Sequence, residues 1–379
     1  MSNIQCSITN IEQEIRNEKN KRMSVFKPPL EEGVGGGYMK HIVIIGSGIA
    51  GIETASALTD AGHWVTVIEK EVHVGGKLNN WTYLFPDFTP AEEITKPLFS
   101  KFREKDFSFL PNTEIKTVIR NKNKFSIETS GNQQLEADAI VLATGFELFD
   151  ARRKEEYGYK IYDHVITSFD LEQLFKPEGK LTVAFGKHPK RIAFVHCVGS
   201  RDEKSGNHYC SKVCCITGVK QAIELKKRLP EAEIFCFYID LRMYHKHFEE
   251  LYRQAQEKYD IQFIRGRLSE ASENIDKSLQ IKAEDTLSGR PLKMNVDMLV
   301  LLVGMEAGKG TKTIARTCGV SCEESGFLKT QDSFLKSNFS DQEGIFLAGS
   351  CSAPMSVHDT ILHARSAAQE VNNWLKNNN

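Results

Sequence analysis

Nine cysteines stand in a chain of 379 residues, and four of them, Cys197, Cys210, Cys214 and Cys215, fall within 19 residues. Their spacing is C-x12-C-x3-C-C. Four thiolates gathered in this way suit an iron–sulfur cluster or a zinc ion. A redox disulfide and buried, unligated cysteines are the other readings. The spacing has neither the two C-x2-C knuckles of structural zinc nor the run of a bacterial ferredoxin. There is no C-x-x-C, and adjacent Cys214 and Cys215 could pair only through a strained ring. A second set of residues has the form of a phosphate cradle: Gly46-Ser47-Gly48-Ile49-Ala50-Gly51 fits G-x-G-x-x-G. In that pattern the first glycine allows a tight turn, the second lets backbone approach a pyrophosphate, and the third lets helix pack on strand. Glu69, 18 residues further on, would accept ribose hydroxyls and repel a 2′-phosphate.

Both sets need a scaffold. Residues 42–45 are a continuous apolar run ended by glycine, the look of a buried parallel strand. A helix over about 49–61 and a strand over 64–69 complete a β-α-β unit. The same grammar returns with a strand at 191–196, a helix at 213–229 stopped by Pro230, and a strand from 233. Each half leads to a strand ending in glycine, at Gly145 and Gly304. The expectation is an α/β protein with two doubly wound, Rossmann-like domains, the second inserted in the first. The expected division is 1–38 tail and linker, 39–180 first part of the dinucleotide domain, 181–308 inserted domain with the four cysteines, and 309–379 return. Cys197 would sit at the carboxyl end of its strand, on the crevice side, with Cys210 and Cys214 on one face of a turn. Of a second glycine fingerprint only Gly199 is left, so little direct oxidation of NADPH is expected there.

Composition limits the partners. Lys+Arg number 49 against Asp+Glu 50, so no basic surplus marks nucleic acid or an anionic membrane as a partner. No apolar run approaches the roughly 20 residues of a membrane span, and the polar start has no signal-peptide core. The expectation is a cytoplasmic protein, where clustered cysteines point to metal or redox chemistry. Charged residues 12–22, then Pro28-Pro29 and Gly35-Gly36-Gly37, read as a solvated tail and a linker.

Three further segments resemble the motifs of two-dinucleotide-fold flavoproteins and so imply FAD in the first domain. Gly75-Gly76-Lys77 follows Glu69 at their spacing, Ala143-Thr144-Gly145 is similar to their linking motif, and residues 344–349 to their C-terminal FAD motif. Those proteins usually continue with an aspartate where this chain has Ser350. A helix is expected from Val357-His358-Asp359-Thr360, its N-terminal dipole favouring negative charge on the flavin. Ser356 or Asp359 would cap it. His358 is a candidate proton donor, or a surface histidine. Lys70, Gly349 and Ser350 join the candidate cofactor-binding residues, and no catalytic side chain stands out. Cys236, Cys318, Cys322 and Cys351 read as packing cysteines, with Cys351 also a candidate redox neighbour of the flavin.

The chain resembles the HdrA family of heterodisulfide reductases in Cys197-Val-Gly-Ser-Arg-Asp-Glu203 and Tyr209-Cys-Ser-Lys-Val-Cys-Cys215. The resemblance continues in residues 237–242, 263–267 and 346–350 and spans 41–379. It implies a thioredoxin reductase-like fold with FAD, and a [4Fe–4S] cluster on Cys197, Cys210, Cys214 and Cys215. It also implies electron transfer within a heterodisulfide reductase-like complex with B- and C-like subunits, as a homodimer. The 379 residues hold no ferredoxin-type cysteine run and no C-x2-C-x2-C insertion after the GG segment. In this they are similar to the short HdrA-like proteins of sulfur-oxidising bacteria and archaea, which work with lipoate-carrying proteins. A stand-alone flavin-dependent disulfide or polysulfide reductase without a cluster is the alternative. A flavin-bearing scaffold with zinc is a third reading.

Overall fold

The computed structural model describes residues 39–177, 179–183 and 186–378, so the tail and linker expected over 1–38 lie outside it. The chain first lays down β1 (His41–Ile45), α1 (Ile49–Asp60), β2 (Trp64–Ile68), α2 (Glu92–Glu104), β3 (Ser108–Leu110) and β4 (Ala139–Leu142). It continues through β5 (Val165–Thr167), α3 (Ser168–Leu174), β6 (Arg191–Val198), α4 (Cys214–Arg228), β7 (Glu233–Tyr238), α5 (Phe248–Glu257), β8 (Gln262–Arg265) and β9 (Met298–Val303). It ends with α6 (Thr311–Cys318), β10 (Thr330–Asp332), β11 (Lys336–Ser340), β12 (Ile345–Leu347) and α7 (Val357–Asn377).

These elements form two compact units. Among the described residues the first holds 39–79, 92–147 and 307–378, and the second 80–91 and 148–306. The sheet of the first unit has the order β10-β11-β12-β4-β1-β2-β3. Its central strands run parallel: Val43 of β1 lies between Thr66 of β2 and Ile140 of β4, and Phe346 of β12 pairs with Val141 of β4. Every residue of β1 and β4 is buried, as continuous apolar strands covered on both faces require. α1 and α7 meet on this sheet, where the Thr54 hydroxyl donates to the Ala364 carbonyl at 3.2 Å.

The second unit carries a five-stranded sheet in the order β5-β9-β6-β7-β8, parallel throughout. β9 is buried at all six positions. α4 packs its apolar face into a core with Ile192, Phe194 and Val300, and Cys214, Cys215 and Cys236 belong to that core. Two doubly wound sheets therefore stand where two β-α-β starts were read, and the chain has the fold of a two-dinucleotide-binding flavoprotein.

The division between the units differs from one at residue 181. β5 and α3 lie with the second unit, because Val165 of β5 pairs with Leu299 of β9 and α3 packs beside α4. Residues 80–91 lie there too. The Thr82 amide donates to the Glu172 carboxylate at 2.9 Å, and Lys220 donates to the Tyr83 carbonyl at 3.0 Å. Lys220 and Glu172 themselves form an ion pair at 2.9 Å with side chains 1% and 0% exposed. Gln221 donates a further hydrogen bond to Glu172 at 2.9 Å. Among the described residues no helix is long and apolar enough to cross a membrane.

Candidate functional site

β1 ends at Ile45 and the chain turns sharply through Gly46, whose φ is +110° and whose amide donates to the Ile68 carbonyl at 2.8 Å. A Cβ at Gly46 would lie 2.3 Å from the Ala143 carbonyl oxygen, and one at Gly51 would lie 1.9 Å from the Gly46 oxygen. The protein's own packing therefore demands glycine at both positions. Gly48 is different. Its φ of −68° suits any residue, and a Cβ there would meet no protein atom within 4 Å. No contact among the described residues explains glycine at 48, whereas a pyrophosphate approaching the backbone would. Gly48 is also the N-cap of α1, which has no side-chain cap and no acidic residue in its first turn. The helix bonds begin with the Ile52 amide on the Gly48 carbonyl at 3.0 Å, and the Ile49 amide is taken up by the bridge of Gly48 with Gly75, so the Ala50 and Gly51 amides offer an anion site.

The surrounding residues extend this cradle. A Cβ at Gly145, φ +69°, would likewise meet no protein atom within 4 Å. The hydroxyls of Thr144 and Thr311 are buried without hydrogen-bond partners. Both flank Gly308, where a Cβ would lie 3.1 Å from the Thr311 hydroxyl and 3.6 Å from the Thr144 carbonyl. Two orphaned hydroxyls at one place fit a polar ligand. Thr311 escapes a motif search because it lies outside any fingerprint and comes to Thr144 only through the fold. Gly75 and Gly76 close the turn from the other side. The Gly75 amide donates to Ser47 O at 2.9 Å, and a Cβ at Gly76 would sit 3.2 Å from Gly48 Cα.

Glu69 follows directly on β2, and its carboxylate is already engaged. Oε2 accepts from the Ser47 amide at 2.7 Å and the Ser47 hydroxyl at 2.8 Å, and Oε1 accepts from the Glu71 amide at 2.9 Å. Of its roughly four acceptor sites, these bonds leave capacity for a ribose hydroxyl. Lys70 is exposed, 3.8 Å from Glu71, and Lys77 pairs with Glu147 at 2.9 Å, its ammonium 5.6 Å from the centre of the Phe146 ring.

The C-terminal motif returns to the same turn. Gly349 has φ +72°, and a Cβ on it would lie 2.6 Å from the Ala50 Cβ. Ser350 is buried, its hydroxyl 3.5 Å from that of Thr360. α7 begins at Val357 with a full capping box: the Ser356 hydroxyl accepts from the Asp359 amide and the Asp359 carboxylate accepts from the Ser356 amide. His358 is exposed on its first turn. The histidine that shapes this turn is His363, whose Nδ1 accepts from the Gly349 amide at 2.9 Å. Burial holds its pKa below the ordinary value, while a hydrogen bond to the Ser337 main chain opposes the shift, so the ring stays a neutral acceptor. Cys351 is fully buried. Its thiol donates to the Leu142 carbonyl at 3.1 Å, and burial pushes its pKa up to about 12, the behaviour of a packing cysteine.

In the second unit the four clustered cysteines gather at the carboxyl end of the parallel sheet. The register of β6 against β9 slips between Val195 and Val198, and Cys197 within the slip has φ +60°. A left-handed non-glycine residue at a bulge re-aims its side chain, and here that side chain is a thiol. The loop after it holds two more left-handed turns, at Gly199 and Arg201. It is pinned by Asn207, which donates to the Gly199 carbonyl at 2.8 Å, and by the Arg201 amide on Tyr209 O at 2.9 Å. Lys212, φ +65°, donates its amide to Cys210 Sγ at 3.3 Å. Cys214 and Cys215 open α4, whose N-cap Val213 supplies no capping side chain and whose first turn has no acid. Cys215 Sγ lies 3.8 Å from the Asp240 carbonyl.

The helix N-terminus favours thiolates, but burial outweighs it. Burial raises Cys214 well above the ordinary thiol value, and Cys197, Cys215 and Cys210 add to the rise. Cys215 is pushed up to about 11, again first by burial. Burial also raises Cys197, while the Arg201 guanidinium beside it pulls the other way. Each of the three other thiols is thus near enough for its charge to oppose that of Cys214. Among the described residues no three His, Cys, Asp or Glu side chains form a finished metal cage. The donor chemistry fits a thiolate-bound metal, because a cation supplied at this point removes both the mutual repulsion and the cost of buried charge. Cys236 shares the core of Cys214 and Cys215, but burial alone raises Cys236 and Cys318, and the charge of none of the four clustered thiols acts on either.

The two β-α turns differ in one more respect. At Gly199, the remnant of the second fingerprint, a Cβ would fall 2.0 Å from the Phe149 ring. At Gly48 the space over the backbone holds no protein atom; at Gly199 it holds an aromatic side chain of the same unit.

A sequence profile described as pyridine nucleotide-disulphide oxidoreductase matches residues 14–193. The chain is similar to the A-type component of the H2/formate:CoB-CoM heterodisulfide,ferredoxin reductase of Methanococcus maripaludis, 29% identical over 88% of this chain and 64% of that protein. It is 40% identical to the A-type component of the H2:CoB-CoM heterodisulfide,ferredoxin reductase of Methanothermobacter marburgensis over 62% of this chain and 36% of that one. It therefore spans less than two thirds of the length of these relatives. Among solved structures, thioredoxin reductase of Lactococcus lactis matches with a TM-score of 0.61 at 18% identity, over 89% of this chain and 99% of that one.

Proposed function

We propose that this chain, a homologue of the HdrA proteins of heterodisulfide reductase, is an electron-transfer oxidoreductase subunit that binds FAD in its first unit and a [4Fe–4S] cluster in its second. The observation that carries the reading is the contrast between the two β-α turns. The first keeps a glycine no protein atom requires, and the second puts Phe149 over Gly199 and sets four thiols beside it. The chemistry that FAD and an iron–sulfur cluster supply together is conversion between electron pairs and single electrons.

The residues have distinct tasks in this reading. The α1 N-terminus and Gly48 receive the pyrophosphate, and Glu69 takes a ribose hydroxyl with the capacity Ser47 leaves it. Thr144 and Thr311 donate from their orphaned hydroxyls. His363, by holding Gly349 in its left-handed conformation, keeps Ser350 and the start of α7 in place. Cys197, Cys210, Cys214 and Cys215 ligate as thiolates, and loading releases the protons that burial otherwise holds on Cys214 and Cys215. Electrons go to or come from B- and C-like partner subunits. The family resemblance extends the proposal to a homodimer and to a lipoate-carrying protein as the bearer of the disulfide.

The test is the iron, sulfide, zinc and flavin content of protein purified without oxygen. About four irons and one FAD per chain are expected, with broad absorbance that bleaches on reduction. Cys214→Ser should lose iron and keep flavin. Flavin without iron would favour a disulfide reductase, and zinc in place of iron would favour a scaffold.

A further inference from the structure

We infer that Arg201, held in place by Asp240, sets the reduction potential of the group bound by the four cysteines. The inference rests on the proposal that these cysteines hold an iron–sulfur cluster, and it adds a residue outside the ligand set. Arg201 is fixed by its main chain: its amide donates to Tyr209 O at 2.9 Å and its carbonyl accepts from Arg267 Nη2 at 2.7 Å. Its side chain is 19% exposed and turns back toward the loop that begins at Cys197. Nη2 donates to Asp240 Oδ2 at 2.7 Å. Nη1 is buried, and among the described residues it has no acceptor at full hydrogen-bond geometry; the guanidinium's further side-chain partner, after Asp240, is the Cys197 thiol. A buried cationic N–H without an acceptor is costly, and the acceptor it lacks is an anion.

Among the described residues the nearby carboxylates already have partners. Asp202, the acid next in sequence, is occupied by Lys154 at 2.9 Å, with both side chains under 10% exposed. Asp240 is shared with Arg265 at 3.6 Å. Beyond the effect of burial, Cys197 feels the Arg201 charge more than that of Arg267, and Cys215 feels it as well. Asp240 completes the link, because its main-chain carbonyl meets Cys215 Sγ at 3.8 Å while its carboxylate holds Arg201. One ion pair therefore runs from the Cys197 loop to the strand end beside Cys215. A thiolate-ligated cluster is anionic and becomes more so on reduction. A fixed cation beside it favours the reduced form, and an anion that offsets the cation favours the oxidised one.

Opposite signs follow for the two partners. The full chain is reconstituted with iron and sulfide, and its reduction is titrated by visible absorbance and paramagnetic resonance. Arg201→Met should keep the iron and lower the equilibrium constant for reduction at least tenfold, 59 mV for one electron. Arg201→Lys should recover most of that loss. Asp240→Asn, which leaves the guanidinium without its counter-charge, should shift the constant the other way. A shift under twofold in both Arg201→Met and Asp240→Asn, or a shift of the same sign in both, overturns the inference. If Arg201→Met loses its iron, the sign in Asp240→Asn decides alone. Wild-type protein that takes up no iron overturns the cluster proposal itself, an outcome distinct from a loaded protein with unmoved potentials.

Discussion

Alanine at position 48 separates what the fold needs from what the ligand needs. Gly48 has an ordinary φ of −68°, and the added Cβ meets no protein atom within 4 Å. Replacing an N-cap glycine by alanine costs about 0.5–1 kcal/mol. The lost freedom of the unfolded chain offsets about 0.4–1 kcal/mol of that. The flavin-free protein should therefore change stability by less than about 1 kcal/mol, a few degrees of melting temperature at most. Gly46→Ala is the control. There φ is +110° and the Cβ would lie 2.3 Å from a carbonyl oxygen in the middle of the sheet. Overlap and backbone strain together should cost about 3 kcal/mol or more. FAD binding should respond in the opposite pattern, falling at least tenfold, or about 1.4 kcal/mol, in Gly48→Ala although it stays folded. Thermal unfolding of the flavin-free proteins, with titration by quenching of FAD fluorescence, reads both quantities. Wild-type affinity in Gly48→Ala would refute the reasoning, and so would a melting temperature as low as that of Gly46→Ala.

Other residues give independent checks. Burial lowers the His41 pKa to about 4 from an ordinary 6.5, while its bond to the Glu136 carbonyl opposes the shift, so its contribution is intact above pH 6.5 and is lost as pH falls toward 4. That loss is about 3 kcal/mol at pH 4, and urea unfolding of His41→Gln across this range should show a correspondingly flatter dependence. Lys220→Met strands the Glu172 carboxylate in the core and should cost about 3–5 kcal/mol, whereas adding Glu172→Leu to it should recover much of the loss; equal destabilisation in single and double variants would count against a true ion pair. His363→Leu leaves the Gly349 amide without its acceptor, so unfolding should move by about 1–3 kcal/mol, with weaker flavin retention. Cys236→Ala should keep its iron in full, since the charge of none of the clustered thiols acts on that one.

Local signals made much of this fold legible. Helix 49–61 and strand 64–69 of the sequence stand as Ile49–Asp60 and Trp64–Ile68, because an apolar strand, a glycine turn and the helix after it each leave a pattern within a few residues. The domain division was not legible near residue 181. Val165 belongs to the second sheet only through a partner, Leu299, more than a hundred residues away. The same reason hid Thr311, which flanks Gly308 together with the distant Thr144, whereas His363 lies only 14 residues from the Gly349 amide that it accepts from. Lys77 carried a flavoprotein motif in the sequence, but its ammonium found Glu147, a match that only the folded chain reveals. Ser350, where such proteins usually carry an aspartate, lies buried with its hydroxyl 3.5 Å from that of Thr360.

The position of β12 between β11 and β4 has a consequence for biosynthesis. β4 ends at Leu142 and its neighbour β12 begins at Ile345, about 200 residues later. At about 5–20 residues per second, the ribosome leaves that inner edge of the first sheet unpaired for roughly 10–40 s. The cysteine-bearing sheet has no such wait, since β5 to β9 all emerge before residue 304. The thiol pocket can thus be complete while the nucleotide cradle still lacks Gly349, His363 and the helix that carries them. The topology thus builds the four-thiol site first and the glycine cradle last, and a nascent chain stalled in between would expose a sticky strand edge to its neighbours.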